Sequence, residues 1–415
     1  MYTQIDQCRI CGNSELVEIL DLGMQALTGV FPRTKLQQIT HGPLQLVKCM
    51  GQEGCCGLVQ LKHTYDLGEL YGDNYGYRSG LNPSMVAHLK SKVNRILERF
   101  PPPAGALVID IGSNDSTTLQ AYPANTFSCL GVDPTGKKFE QFYPPHIHLI
   151  PDFFSAEVLR KHIGDRRAAV ITSFSMFYDL ESPLSFVQEV GQVLDEEGVW
   201  VTEQSYMPLM LNRNSYDTVC HEHLEYYALR QIKWMADRAD LKIVDVEFND
   251  VNGGSLSLAM ARRQSRWAES ALVKEILARE VSEGLDTLQP YQVFARNVAA
   301  SRDALRTFLE RARQSGKSVS GLGASTKGNV LLQYCHITED DIARVGEVNA
   351  DKFGHFTPGT SLPIVSEEEA LAMKPDYLVV LPWHFRSYLL SQPRLRGQTL
   401  VFPLPELDIV QCAVA

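Results

Sequence analysis

Between Ala106 and about Arg262, short apolar runs alternate with amphipathic stretches, and this pattern limits the fold more than any other feature of the chain. ALVIDIG is a continuous apolar run ending in glycine, as a strand buried on both faces should be. LGVD (130–133), AAVITSFS (168–175) and GVWVTEQ (198–204) repeat that look. Ser155 to Ile163 and Pro183 to Leu194 read as helices between them. Such alternation predicts a doubly wound α/β sheet. LKIVDVEFND and GGSLSLAMARR then read as a late hairpin, with Asn252, Gly253 and Gly254 at its tip.

At 415 residues the chain is longer than one core usually spans. The expected divisions are 1–85, rich in cysteine, 86–265, and 266–415. Met85 to Phe100 reads as an amphipathic helix stopped by Pro101–Pro103. Arg263 to Arg313 is a polar helical connector with a break at Pro290. A second, smaller α/β pattern begins near Lys317: SVSGLGAS, a helix over Lys327 to Tyr334, VGEVNAD, PIVS and DYLVVLPW.

The formal charge of -10 disfavours a general grip on nucleic acid, which needs a surplus of Lys and Arg. No run approaches the roughly 20 apolar residues of a membrane helix, and the N-terminus lacks a signal-type apolar core. The expectation is a soluble cytoplasmic protein without membrane or nucleic-acid partners.

Five of the nine cysteines fall within the first 56 residues. In a cytosolic chain this arrangement points to metal before disulfide. Cys8 and Cys11 form a CxxC, and Cys49 supplies a third thiolate for tetrahedral zinc. The fourth is Cys55 or Cys56, adjacent residues that rarely both reach one ion. Cys56, which opens CGLVQL, is the choice, against a reading of all of them as buried thiols.

VIDIGSNDSTTL places Asp110 near a strand end, followed by Gly112, Ser113 and Asn114 before a helix. Gly112 permits close backbone approach by a ligand. The run lacks GxGxxG and is closer to the first motif of S-adenosylmethionine (SAM) methyltransferases. Asp133, in LGVDP, ends the next strand, where an acid accepts from ribose hydroxyls. Ser173, late in AAVITSFS, is a further expected cofactor contact. The other reading is an ordinary α/β domain with tight turns. GLGASTKGN (321–329) suits a phosphate through its glycines, Lys327 and a helix N-terminus, or simply packs strand against helix.

YDTVCHEHLEYY (216–227) concentrates proton chemistry: His221 and His223 flank Glu222, with Cys220 beside them. The bland alternative is a polar turn satisfying its own hydrogen bonds. A metal site here is disfavoured, because HExxH spacing is absent.

Taken together, the ordered segments resemble the zinc-containing, SAM-dependent C-methyltransferases of nucleotide-linked 4-keto deoxysugars. CGLVQL, YGYRSG, VIDIGSND, HEH, NGGS, GASTKGN and FTPGT carry the likeness across nearly the whole chain. The resemblance implies a zinc domain, a central Rossmann-like SAM domain and a C-terminal Rossmann-like domain helping to hold the nucleotide-sugar. It implies His223 as the base that forms an enolate, Glu222 as its partner or a sugar contact, and His221 in support. Tyr75 and Tyr77 would line the sugar site, a tyrosine hydroxyl donating to the enolate oxygen. Lys327 and Asn329 would contact the diphosphate or nucleotide, and His384 with Trp383 would line that crevice.

Two positions depart from the pattern: Cys220 replaces a tyrosine and Asp179 a histidine, both facing substrate. Ser116 replaces a motif glycine more mildly. Two alternatives therefore remain open: the same scaffold with another acceptor, such as a hydroxyl or a small carbonyl compound, or a non-catalytic metabolite binder. The protein is expected to be a monomer or a weak homo-oligomer.

Overall fold

The computed structural model describes residues 2–51, 54–70 and 77–413. Its centre is a seven-stranded sheet in the spatial order Leu241–Asn249, Ser255–Arg262, Leu194–Ser205, Ala168–Phe174, Leu107–Ile111, Ser128–Val132 and Ile147–Ile150. Ser255–Arg262 runs antiparallel to both of its neighbours, and the remaining pairs are parallel. Leu107–Ile111 is buried at every residue, as its unbroken apolar run requires. The chain leaves it in both directions across the sheet, so a crevice opens beyond its C-terminal end.

Most sequence-read elements appear in place. Helix Ala156–Ile163 starts where the Ser155 hydroxyl caps the Val158 amide. Helix Pro83–Arg99 begins two residues earlier than expected, with Asn82 capping Ser84. Lys92 ties it to the sheet through Glu203 at 2.8 Å and Glu247 at 2.9 Å. The connector divides into Leu272–Ser282 and Gln289–Gln314, so the expected break falls just ahead of Pro290, which sits in the first turn of the second helix, where its missing N–H costs nothing.

An antiparallel sheet holds Leu16–Ala26, His41–Cys49 and Val59–Leu61, and is completed by the distant Glu225–Tyr226. The segment after HEH is thus stitched into the N-terminal region, and Leu61 N also donates to Leu224 O at 2.8 Å. The third sheet orders Ile364–Ser366, Val345–Glu347, Val319–Leu322, Tyr377–Val380 and Thr399–Phe402 in parallel, with Asp408–Gln411 antiparallel at the edge. It is the second, smaller Rossmann-like unit. Among the described residues, no helix is long and apolar enough to cross a membrane.

Candidate active site and zinc centre

The crevice is a cavity of about 600 Å³. Its walls are the turns after Leu107–Ile111, Ser128–Val132 and Ala168–Phe174, one face of helix Pro83–Arg99, the HEH segment and the start of helix Thr326–Tyr334. Of the sequence-read candidates it gathers Asp110, Gly112, Ser113, Asn114, Asp133, Tyr77, Asp179, Cys220, Glu222, His223 and Lys327.

The turn end is a cradle. Gly112 has φ +73°, and a Cβ there would come within 3.0 Å of Met176 Cγ. Asn114 and Ser116 also adopt left-handed backbone, at φ +49° and +63°. Position 116 therefore favours the glycine of the usual motif, and serine there costs about 1 kcal/mol. Its hydroxyl offsets this by donating to Phe142 O at 3.0 Å. Tyr143, which the sequence reading missed, braces the turn by donating to Asn114 O at 2.9 Å, with its hydroxyl 2.8 Å from Ser113 Oγ.

Asp133 is already engaged. Its Oδ2 accepts from Asn114 N at 2.7 Å, and its Oδ1 accepts from Thr135 N and Oγ1, each at 2.6 Å. Three of the roughly four acceptor sites of this carboxylate are thus taken by its own chain. Asp110 accepts from Thr172 Oγ1 at 2.5 Å. Burial pushes its carboxyl up to about 7, against the lowering effect of the Thr172 and Thr118 hydroxyls.

At the HEH end the two imidazoles diverge. His223 borders the cavity with its ring against Tyr178, centroids 4.4 Å apart. Its Nδ1 lies 2.8 Å from Thr218 O, so Nδ1–H donates there and Nε2 carries the lone pair. Thr218, rather than Glu222, orients this imidazole. Burial, with a smaller contribution from the Lys327 charge, lowers the His223 imidazole to about 4. Burial moves the Glu222 carboxyl the other way, upward.

His221 is fully buried, with its ring edge-on to Tyr65 at 4.7 Å and Nε2 3.4 Å from Gly42 O. It pins the segment to the N-terminal sheet and does not line the cavity. Ser173 is likewise buried, accepting from Trp200 Nε1 at 2.8 Å. Asn329 is buried and donates to Thr28 O at 2.8 Å. His384 packs on Phe385, centroids 4.4 Å apart, outside the cavity lining. Tyr75 lies outside the described residues, and Tyr77 is half exposed on the cavity wall. The expected glycine cradle at 321–329 is close-packed: a Cβ on Gly323 would meet Pro382, and one on Gly328 would meet Leu381.

Away from the cavity, the Sγ atoms of Cys8, Cys11, Cys49 and Cys56 lie within 4.8 Å of one another. Tetrahedral zinc with bonds near 2.3 Å spaces its sulfurs by about 3.8 Å, so the four thiols fit the ion. Cys56, not Cys55, completes the set.

Three family models match in succession: "Putative zinc binding domain" over residues 8–71, "Methyltransferase domain" over 85–246, and "C-methyltransferase C-terminal domain" over 250–405. The C-methyltransferase NovU of Streptomyces niveus is 28% identical over 413 residues, covering 98% of this chain and 97% of that protein. Among solved structures, the 1,6-didemethyltoxoflavin-N1-methyltransferase of Burkholderia thailandensis, with S-adenosylhomocysteine bound, is 10% identical. It covers 43% of this chain and 77% of its own, with a TM-score of 0.32. A SAM-dependent methyltransferase of Clostridium acetobutylicum is also 10% identical, covering 43% and 92%, with a TM-score of 0.33. With its Gly112 turn and its four gathered thiols, the chain is a SAM-dependent methyltransferase that carries a zinc-binding region ahead of its methyltransferase domain and is similar in its C-terminal part to C-methyltransferases.

Proposed function

We propose that the acceptor is a nucleotide-linked keto-deoxysugar, methylated on the carbon beside its ketone. The supporting observation is that His223, its tautomer set by the Thr218 carbonyl, borders the same cavity as the Gly112 turn. Bound SAM supplies an electrophilic methyl group. The ketone acidifies its neighbouring C–H, and His223 Nε2 takes that proton. The enolate electron pair then forms the new C–C bond as the S–CH₃ bond breaks, and the imidazolium returns its proton to water.

A donor aimed at the developing enolate oxygen contributes most in the transition state. Glu222 fits this role, because burial keeps its carboxyl protonated to higher pH while His223 stays neutral. Environments that push two groups apart in this way separate base from acid. Tyr77 is a second donor on the same wall, and Lys327 offers a charge for the substrate's diphosphate.

A second reading keeps the scaffold but changes the acceptor to a hydroxyl or another small carbonyl compound. Cys220 and Asp179, both on the cavity wall, favour it. Incubation with SAM and a nucleoside-diphosphate 4-keto-6-deoxysugar, followed by NMR of the product, separates the two. A methyl on the carbon next to the ketone supports the first reading, and a methyl on oxygen or no product contradicts it.

A further inference from the structure

Glu222 is seated by residues far from it in sequence. Thr28, fully buried, donates from Oγ1 to Glu222 Oε2 at 3.5 Å and lies 3.4 Å from His221 Nδ1. Next to it, Gly29 leaves the space that the carboxylate fills, since a Cβ there would stand 2.3 Å from Glu222 Oε1. The segment carrying both residues is clamped from the C-terminal unit. Gln333 accepts from Ala26 N at 2.7 Å and donates to Ala26 O at 3.2 Å, replacing a strand partner with one side chain. One turn earlier on the same helix, Asn329 donates to Thr28 O at 2.8 Å. Side chains four apart share a helix face, so one face of Thr326–Tyr334 holds the whole segment. The first turn of that helix places Thr326 and Lys327 on the cavity wall.

We propose that Asn329 and Gln333 are positioning residues: they fix residues 26–29 as the seat of Glu222, so the C-terminal helix builds part of the reacting end of the cavity. This inference rests on Glu222 acting on the acceptor. It gives Asn329 a role other than contacting the nucleotide. It also explains why an amide pair, Asn329 buried and Gln333 partly buried, sits where N- and C-terminal regions meet.

The test uses the full-length, zinc-loaded protein with SAM and a nucleoside-diphosphate 4-keto-6-deoxysugar as the probe. Gln333→Ala, Asn329→Ala and Gly29→Ala are compared with Glu222→Ala. Each of the first three is expected to lower kcat tenfold or more while both KM values stay within twofold. Adding Gln333→Ala to Glu222→Ala should cost nothing further. Gly29→Ala leaves the helix contacts intact and displaces only the carboxylate, so it guards against misfolding of the Asn329 variant. Crystal structures with S-adenosylhomocysteine give a readout independent of the acceptor, in which Glu222 should move in Gln333→Ala and in Gly29→Ala. An unmoved Glu222 overturns the proposal. So does wild-type kcat in Gln333→Ala beside an impaired Glu222→Ala, or a Gln333→Ala effect that persists in full without Glu222. Wild-type turnover by Glu222→Ala instead removes the role given to Glu222 itself.

Discussion

At the scale of single residues, the site depends on groups held away from their usual protonation. Asp110 is an acid whose folded pKa, about 7, lies above its unfolded value. Between those values the unfolded chain binds fewer protons, so this group's contribution to stability falls as pH rises. Asp110→Asn is therefore expected to stabilise the ligand-free protein at pH 8, on the order of a few kcal/mol, with little change at pH 4. The same variant should bind SAM more weakly, and thermal melting with and without SAM checks both effects. Gly112→Ala should weaken SAM binding by calorimetry, because a side chain is strained at its φ of +73° and the added methyl would crowd Met176 at 3.0 Å. His223 should keep kcat/KM flat from neutral pH down through 6.5, with the fall only on approaching about 4. An acid limb centred near 6.5 would contradict the burial assigned to it.

At the scale of elements, the long apolar strands and capped helices were legible because their signals are local. Leu107–Ile111 and Ala168–Phe174 carry unbroken apolar runs, and Ser155 caps its helix as its sequence suggests. Ile147–Ile150 was not legible: it is four residues long, follows Pro144 and Pro145, and is buried only at its two ends. Glu225–Tyr226 was hidden for a different reason. Two residues carry no periodicity, and their partner strand is some 165 positions away. That pairing separates the fates of His221 and His223, which the sequence presents as equals. Thr218, Thr28 and Gly29 were equally hidden, since their roles depend on long-range packing and not on spacing. Replacing Glu225 and Tyr226 with Pro-Gly should break this two-residue ladder. The expected result is a large loss of turnover with SAM binding retained, and unchanged turnover would deny the stitch any role in setting the site.

At the scale of the whole molecule, the zinc centre and the reacting end are joined through Arg9, which lies between two zinc ligands. Its buried guanidinium donates to Leu61 O at 2.5 Å, His63 O at 3.1 Å and Thr64 Oγ1 at 2.9 Å, and stands 3.8 Å from Glu225. Chelating the zinc should therefore lower melting temperature and turnover together, with SAM affinity changing less. Acid should also unfold the molecule early. Burial lowers His221 and His223 to about 4 and His384 to about 3, below the unfolded value. Over that window the unfolded chain binds more protons, so stability is lost as pH falls from about 6.5 towards 4. The central claim, that His223 takes a proton from the acceptor inside this cavity, is tested most directly by exchange in D₂O. The protein, S-adenosylhomocysteine and a nucleoside-diphosphate 4-keto-6-deoxysugar are incubated without a methyl donor, and deuterium beside the ketone is followed by NMR. Wild type should exchange that proton, and His223→Ala should lose the exchange by 10²-fold or more while still binding S-adenosylhomocysteine. Exchange at the wild-type rate by His223→Ala would contradict the account.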